Sequence, residues 1–110
     1  MMTKTQNKVQ LVGYLGKDPM ISIAANGSKR AYLRLATDWY RKKEDGTKIK
    51  KTTWHDIVAW DQKAEKIENA MIMGSHVMVE GEIQYRQFTK NGQKRYTTQI
   101  RASSITYLDR

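Results

Sequence analysis

Cysteine is absent, which removes a disulfide framework, a thiolate zinc site and a cysteine nucleophile together, and fits a reducing compartment. Long apolar runs are missing as well. Nothing approaches the ~20 residues that span a bilayer, and the opening MMTKTQNK lacks the apolar stretch of a secretory leader. A soluble, cytoplasmic chain with no membrane contact is the expectation. Acids are scarce, with 11 Asp and Glu against 20 Lys and Arg and a formal net charge of +9, so anionic, phosphate-rich partners come first. Catalytic constellations are lacking too. There is no Gly-rich phosphate loop and no Ser-His-Asp order, and Asp56 and Asp61 fall on opposite strand parities. His55 and His76 stand at no metal-ligand spacing, so a structural role is expected for them. Neither an enzyme, a metal nor a cofactor is expected.

What is present is 110 residues, enough for a single domain over 1–110 with one modest core. Its pattern is mostly that of strands. Val9, Leu11, Gly13 and Leu15 fall at even spacing before the turn signal Lys17-Asp18-Pro19. A short apolar run from Met20 to Ala24 ends near Asn26-Gly27, a pair suited to a tight hairpin. Ala31, Leu33 and Leu35 then face one way, and Tyr32 and Arg34 the other. A basic loop over 41–51, with Asp45-Gly46 as its turn, leads to a strand carrying Trp54 and Trp60.

The stretch from Asp61 to Met73 is the helical candidate. Asp61 is placed to cap its start, Ala64, Ile67 and Met71 recur at three- and four-residue steps, and Gly74 stands where a helix end favours positive φ. His76 to Phe88 alternates as a long strand with Val77, Val79, Ile83 and Tyr85 on one face. Asn91-Gly92 turns the chain into Arg95 to Ile100, and Ser104 to Leu108 adds a short strand. Three strands, a helix and two strands predict an all-β fold: the OB-fold, a five-stranded, partly open Greek-key barrel with one helix between strands 3 and 4. The barrel is expected over about residues 7–108. A small SH3-like barrel is the runner-up.

Two tryptophans six positions apart in KTTWHDIVAWD share one face of their strand. His55, Ile57 and Ala59 occupy the other parity and suffice for a core, while Asp56 shares the tryptophan face, so that face is expected to be open. Phe88 lies on the parity of Glu80, Glu82, Gln84 and Arg86, a solvent-facing set. Tyr85 and Tyr96 are expected in the core or as cross-strand partners. Cations interleave with the exposed rings: Trp39 and Tyr40 lead into Arg41, Lys42 and Lys43, Trp54 and Trp60 follow Lys48, Lys50 and Lys51, and Phe88 lies between Arg86 and Lys90. Arg34 joins this candidate phosphate track, with Lys17, Lys29, Arg30, Lys94 and Arg95 as lesser candidates. Stacked rings hold bases without regard to sequence and cations neutralise phosphates, which is the chemistry of single-strand binding. Gly13 is assigned to a close backbone approach and Gly16 to a turn.

The blocks NKVQLVGYLGKDP, LAT, WHDIVAW, GSHVMVEGEIQYR and NGQKRYTT run from Asn7 to about Tyr107 in an order that resembles the bacterial single-stranded DNA-binding protein family. The resemblance implies a homotetramer that coats single-stranded DNA in replication, recombination and repair, nucleoid-associated in the cytoplasm. It implies stacking roles for Trp54, Trp60 and Phe88, and for Trp39 or Tyr40. The spacing there differs from the family pattern by one residue, and Tyr40, directly before Arg41, matches better. It also implies a subunit contact at His55, with Val9 and Leu11 of the first strand offering an edge to a neighbour. The family's acidic C-terminal tip is not found in TYLDR, so tail-mediated recruitment of replication and repair enzymes is not expected from this chain. The alternatives are a replication-restart or RNA-binding OB-fold protein, or a protein-interaction barrel.

Overall fold

The computed structural model describes residues 5–109. Strand β1 spans Val9–Leu15, β2 Met20–Ile23, β3 Lys29–Lys42 and β4 Lys48–Trp60; helix α1 spans Gln62–Ala70; β5 spans His76–Lys90 and β6 Gln93–Asp109. β2 is a short arm paired only along the first residues of β3. With β2 counted separately, the helix falls between β4 and β5, and the remaining five strands form the expected OB-type barrel.

Alternation explains the core. Leu15 from β1, Ala31, Leu33 and Leu35 from β3, Ile57 and Ala59 from β4, and Val77 and Val79 from β5 are all buried. Ile100, Ala102 and Ile105 of β6 complete this interior face. Helix α1 presents Ala64 and Ile67 to the core, and Met71 just beyond it is also buried. Removing a fully buried side chain such as Ile67 typically costs about 2–5 kcal/mol, so this short helix depends on packing more than on its own propensity.

The ring of strands runs β1-β5-β6-β4-β3 and closes back onto β1. Its ladders are unequal. The β3–β4 and β5–β6 hairpins are paired along their whole length. By contrast, β1 meets β3 only at Tyr14↔Ala36 and Leu15↔Leu35, and β4 meets β6, in parallel, only at Ile57↔Ile100 and Val58↔Arg101. The barrel is thus closed rather than partly open, through two seams of two residue pairs each. Gly13 lies beside the first seam, where a Cβ would come 2.1 Å from the Ala36 carbonyl oxygen; the close approach expected of it is present.

Four local expectations change. Residues 41–51 are not a loop: the β3–β4 ladder continues to Lys42↔Lys48, leaving only 43–47 as a turn, with Gly46 at φ 88° and the Asp45 carboxylate accepting from the Thr47 amide. β6 is continuous where two strands were expected, because a register shift near Gly81 absorbs the odd residue. Asp61 stands before the helix but makes no side-chain cap; its φ of 57° turns the chain, and its amide donates to the Lys29 carbonyl. Gly74 does take positive φ, but in a turn after the helix, which ends at Ala70.

Candidate nucleic-acid interface

β4 and β6 run parallel where they meet, so the β3–β4 and β5–β6 hairpins leave the barrel on the same side as two arms. Directly paired residues of a ladder share a face. By register, Arg34, Tyr40 and Lys42 of β3 therefore share one face with Lys48, Lys50, Trp54 and Trp60 of β4. The seam carries that face onto β6 through Val58↔Arg101, and onto β5 through Glu82↔Arg101, which places Gln84, Arg86, Phe88 and Lys90 on it too. This front face points away from the barrel interior. The rings on it are accessible: Tyr40 is 64% exposed, Trp54 47% and Phe88 40%, with Trp60 half-buried. An open groove lined by Val58, Trp60, Gln84, Arg86 and Gln99 joins the second tryptophan to the β5–β6 arm.

At the centre of the face is a polar knot. The Tyr32 hydroxyl and the Arg34 guanidinium both donate to Oδ1 of Asp56, the latter at 3.4 Å. The hydrogen bond to Asp56 and partial burial hold the Tyr32 phenol above its ordinary pKa. Arg34 also lies over the Trp54 ring, 5.4 Å from its centroid, where the ring's negative face attracts it. Lys17 and Arg30 approach Tyr32 in the same way, at 5.4 and 5.9 Å. Tyr32 was not among the candidate site residues, although its shared parity with Arg34 already placed it outside the core. Gly16 is not a positive-φ turn residue. It is there for space, because a Cβ would come 2.3 Å from Cζ3 of Trp54.

The remaining candidates fall elsewhere. Trp39, Arg41 and Lys51 lie on the opposite, reverse face of the β3–β4 arm, Trp39 directly across from Lys51. Lys43 lies in the turn. Lys29 lies 2.7 Å from Glu68, which ties it to the helix, whereas Lys50 stays on the front face, 3.8 Å from the Asp38 carboxylate. His55 shares the interior face with Leu35, and its Nε2 is hydrogen-bonded to the Thr37 hydroxyl at 2.9 Å. Burial lowers its pKa, and nearby Asp56 opposes that shift. Val9 and Leu11 are half-buried against the core, while Val12 and Tyr14 of β1 point outward, Tyr14 stacked on His76 at 4.5 Å. Tyr85 and Tyr96 are neither core nor directly paired. They are 76% and 68% exposed, because their arm runs past the barrel rim. Among the described residues no three His, Cys, Asp or Glu side chains converge as a metal site.

A closed β-barrel whose open face interleaves flat rings with cations defines the class of sequence-tolerant single-strand nucleic-acid binders. The Single-strand binding protein family model matches residues 6–108, and the chain belongs to that family. A protein named Single-stranded DNA-binding protein 1 from Xylella fastidiosa is 39% identical over 104 residues, which cover 93% of this chain and 76% of that one. The structure of the Plasmodium falciparum SSB in complex with ssDNA superposes with a TM-score of 0.84 at 32% identity, covering 99% of this chain and 100% of that one. A deletion mutant of the Thermus aquaticus single-stranded DNA binding protein gives a TM-score of 0.81 at 29% identity, covering 94% of this chain and 51% of that one.

Proposed function

We propose that the chain binds single-stranded DNA along its front face, coats it during replication, recombination and repair, and does so as a binder rather than a catalyst, with no cofactor. The observation that carries this reading is the register that gathers Tyr40, Trp54, Trp60 and Phe88 on one open face, with Arg34, Lys42, Lys48, Lys50, Arg86 and Lys90 among them. Each ring offers a base roughly 1–3 kcal/mol of stacking whatever the base is, and the cations meet the phosphates between. Tyr40 rather than Trp39 is the fourth platform, since only Tyr40 shares the face of the other three.

Coating also calls for several barrels side by side. The edge of β1 over Val9–Val12 that faces away from β5 meets no strand among the described residues. It suits pairing with a second copy, and a homotetramer with His55 near a subunit contact follows from the family resemblance. The protein works on DNA in the cytoplasm, at the nucleoid; among the described residues no helix is long and apolar enough to cross a membrane.

Intrinsic tryptophan fluorescence tests the reading. Oligo(dT) is expected to quench emission strongly, and duplex of equal length, whose base faces are occupied, only weakly. Equal quenching by both, or by neither, would falsify it. Light scattering at micromolar concentration is expected to give four times the monomer mass, and a clean monomer would sink the assembly.

A further inference from the structure

The reverse face of the two arms carries its own rings and cations. On β3 and β4 it holds Trp39, Arg41 and Lys51, and on β5 and β6 it holds Tyr85, Lys94 and Tyr96. Both sets continue, beyond the rim, the parity that inside the barrel carries Leu35, Ile57 and Ile100. Within the barrel those positions are filled by aliphatic side chains. Beyond it, where no core remains to be filled, large rings persist: Trp39 is 50% exposed, Tyr85 76% and Tyr96 68%. Exposure of this extent gives them no packing role in the barrel.

Charge indicates what covers them. The reverse face carries Arg41 and Lys51 on one arm and Lys94 on the other, while Arg86, Lys90 and Arg95 belong to the front face. By register no carboxylate falls on the reverse face of either arm, whereas the front face carries Asp38, Asp56 and Glu82, each within 4 Å of a cation. A protein partner of ordinary mixed charge would leave Arg41, Lys51 and Lys94 unmatched, while a phosphate backbone matches all three. Tyr85 pairs with Thr98 and Tyr96 with Gln87, so the two rings are diagonal neighbours. Such neighbours lie about 7–8 Å apart, within reach of one flat group between them. Each arm is thin, so a strand leaving the front face past the tip at Asn91-Gly92 meets the reverse face at once.

We propose that the reverse face is a second single-strand track, on which Trp39, Tyr85 and Tyr96 stack bases and Arg41, Lys51 and Lys94 hold phosphates. The track rests on the front-face reading and lengthens the strand that each chain occludes.

The test compares the wild-type protein with Tyr85→Ala/Tyr96→Ala, two exposed positions whose loss leaves the core intact, as an unchanged thermal midpoint would verify. On poly(dT), the end-point of tryptophan quenching reads nucleotides occluded per chain. The variant is expected to occlude roughly two fewer, and to bind long oligo(dT) about tenfold more weakly at fixed salt. Photo-crosslinking of wild type with 5-iodouracil oligonucleotides is expected to label Tyr85 or Tyr96. Unchanged occlusion with no label on either tyrosine overturns the second track, while persistent wild-type quenching leaves the front-face reading standing. A variant that instead changes the oligomer mass at unchanged occlusion overturns it too, in favour of contacts between copies. If the wild-type protein shows no quenching by oligo(dT), both readings fall together.

Discussion

The space at Gly16 provides a way to displace a platform without removing its ring. A methyl at this position would come 2.3 Å from Cζ3 and 2.6 Å from Cη2 of Trp54, atoms of a rigid ring. Regaining ordinary contact requires a retreat of about 1 Å, which a planar side chain makes only by rotating away. The backbone at Gly16 is not in the left-handed region, and its amide bond to the Arg34 carbonyl at 2.9 Å survives an alanine. Gly16→Ala therefore acts on the ring and little else. It is expected to weaken oligo(dT) binding by part of one stacked base, about 1–2 kcal/mol or roughly 5- to 30-fold. Fluorescence titration reads the loss, and urea denaturation checks the fold. A double-mutant cycle makes the argument strict: in a Trp54→Ala background, Gly16→Ala has nothing left to displace and adds no further loss. Additive losses, or a Gly16→Ala variant with wild-type affinity, would refute the assignment of this glycine to the platform.

Tyr40→Ala is expected to weaken binding of short oligo(dT) by about 1–3 kcal/mol and to do so more than Trp39→Ala; the reverse ranking by the same titration would show that the register misleads about the faces. Replacing Lys42, Lys48 and Lys50 with Gln is expected to flatten the slope of log affinity against log salt by about 2, at roughly 0.7 per phosphate contact. An unchanged slope means that none of the three touches the backbone. Burial lowers the pKa of His55 below 6.5, so below that value the unfolded chain takes up more protons than the folded one. Stability is then full above about pH 6.5 and declines as pH falls, and thermal melts of wild type against His55→Gln are expected to show a shallower decline in the variant.

Much of this was legible in the sequence because period-two alternation settles which residues face the core. Ala31, Leu33 and Leu35 and the Trp54–Trp60 parity follow from it directly. The tyrosines at 85 and 96 did not, since alternation reports a face and not where along the strand the barrel stops. Residues 41–51 read as a loop because charge masks the alternation of Ile49 with its lysine neighbours. At Gly16 the sequence suggests a turn, because a missing side chain gives no hint of the ring that fills its place. Trp39 and Tyr40 are adjacent, and only the ladder register separates them onto two faces.

The two seams have a mechanical consequence. Hydrogen bonding divides the barrel into two shells: β3 and β4 with their β2 arm, and β1 with β5 and β6. Short ladders stitch the halves together: Tyr14↔Ala36 and Leu15↔Leu35 on one side, extended by the Gly16 amide to the Arg34 carbonyl, and Ile57↔Ile100 with Val58↔Arg101 on the other. What clamps them is mainly the apolar filling between, Leu33, Leu35 and Ile57 from one shell against Val77, Val79 and Ile105 from the other. Each half carries one of the two arms. A small rocking of one shell on the other would change the angle between the arms while leaving both long ladders unbroken.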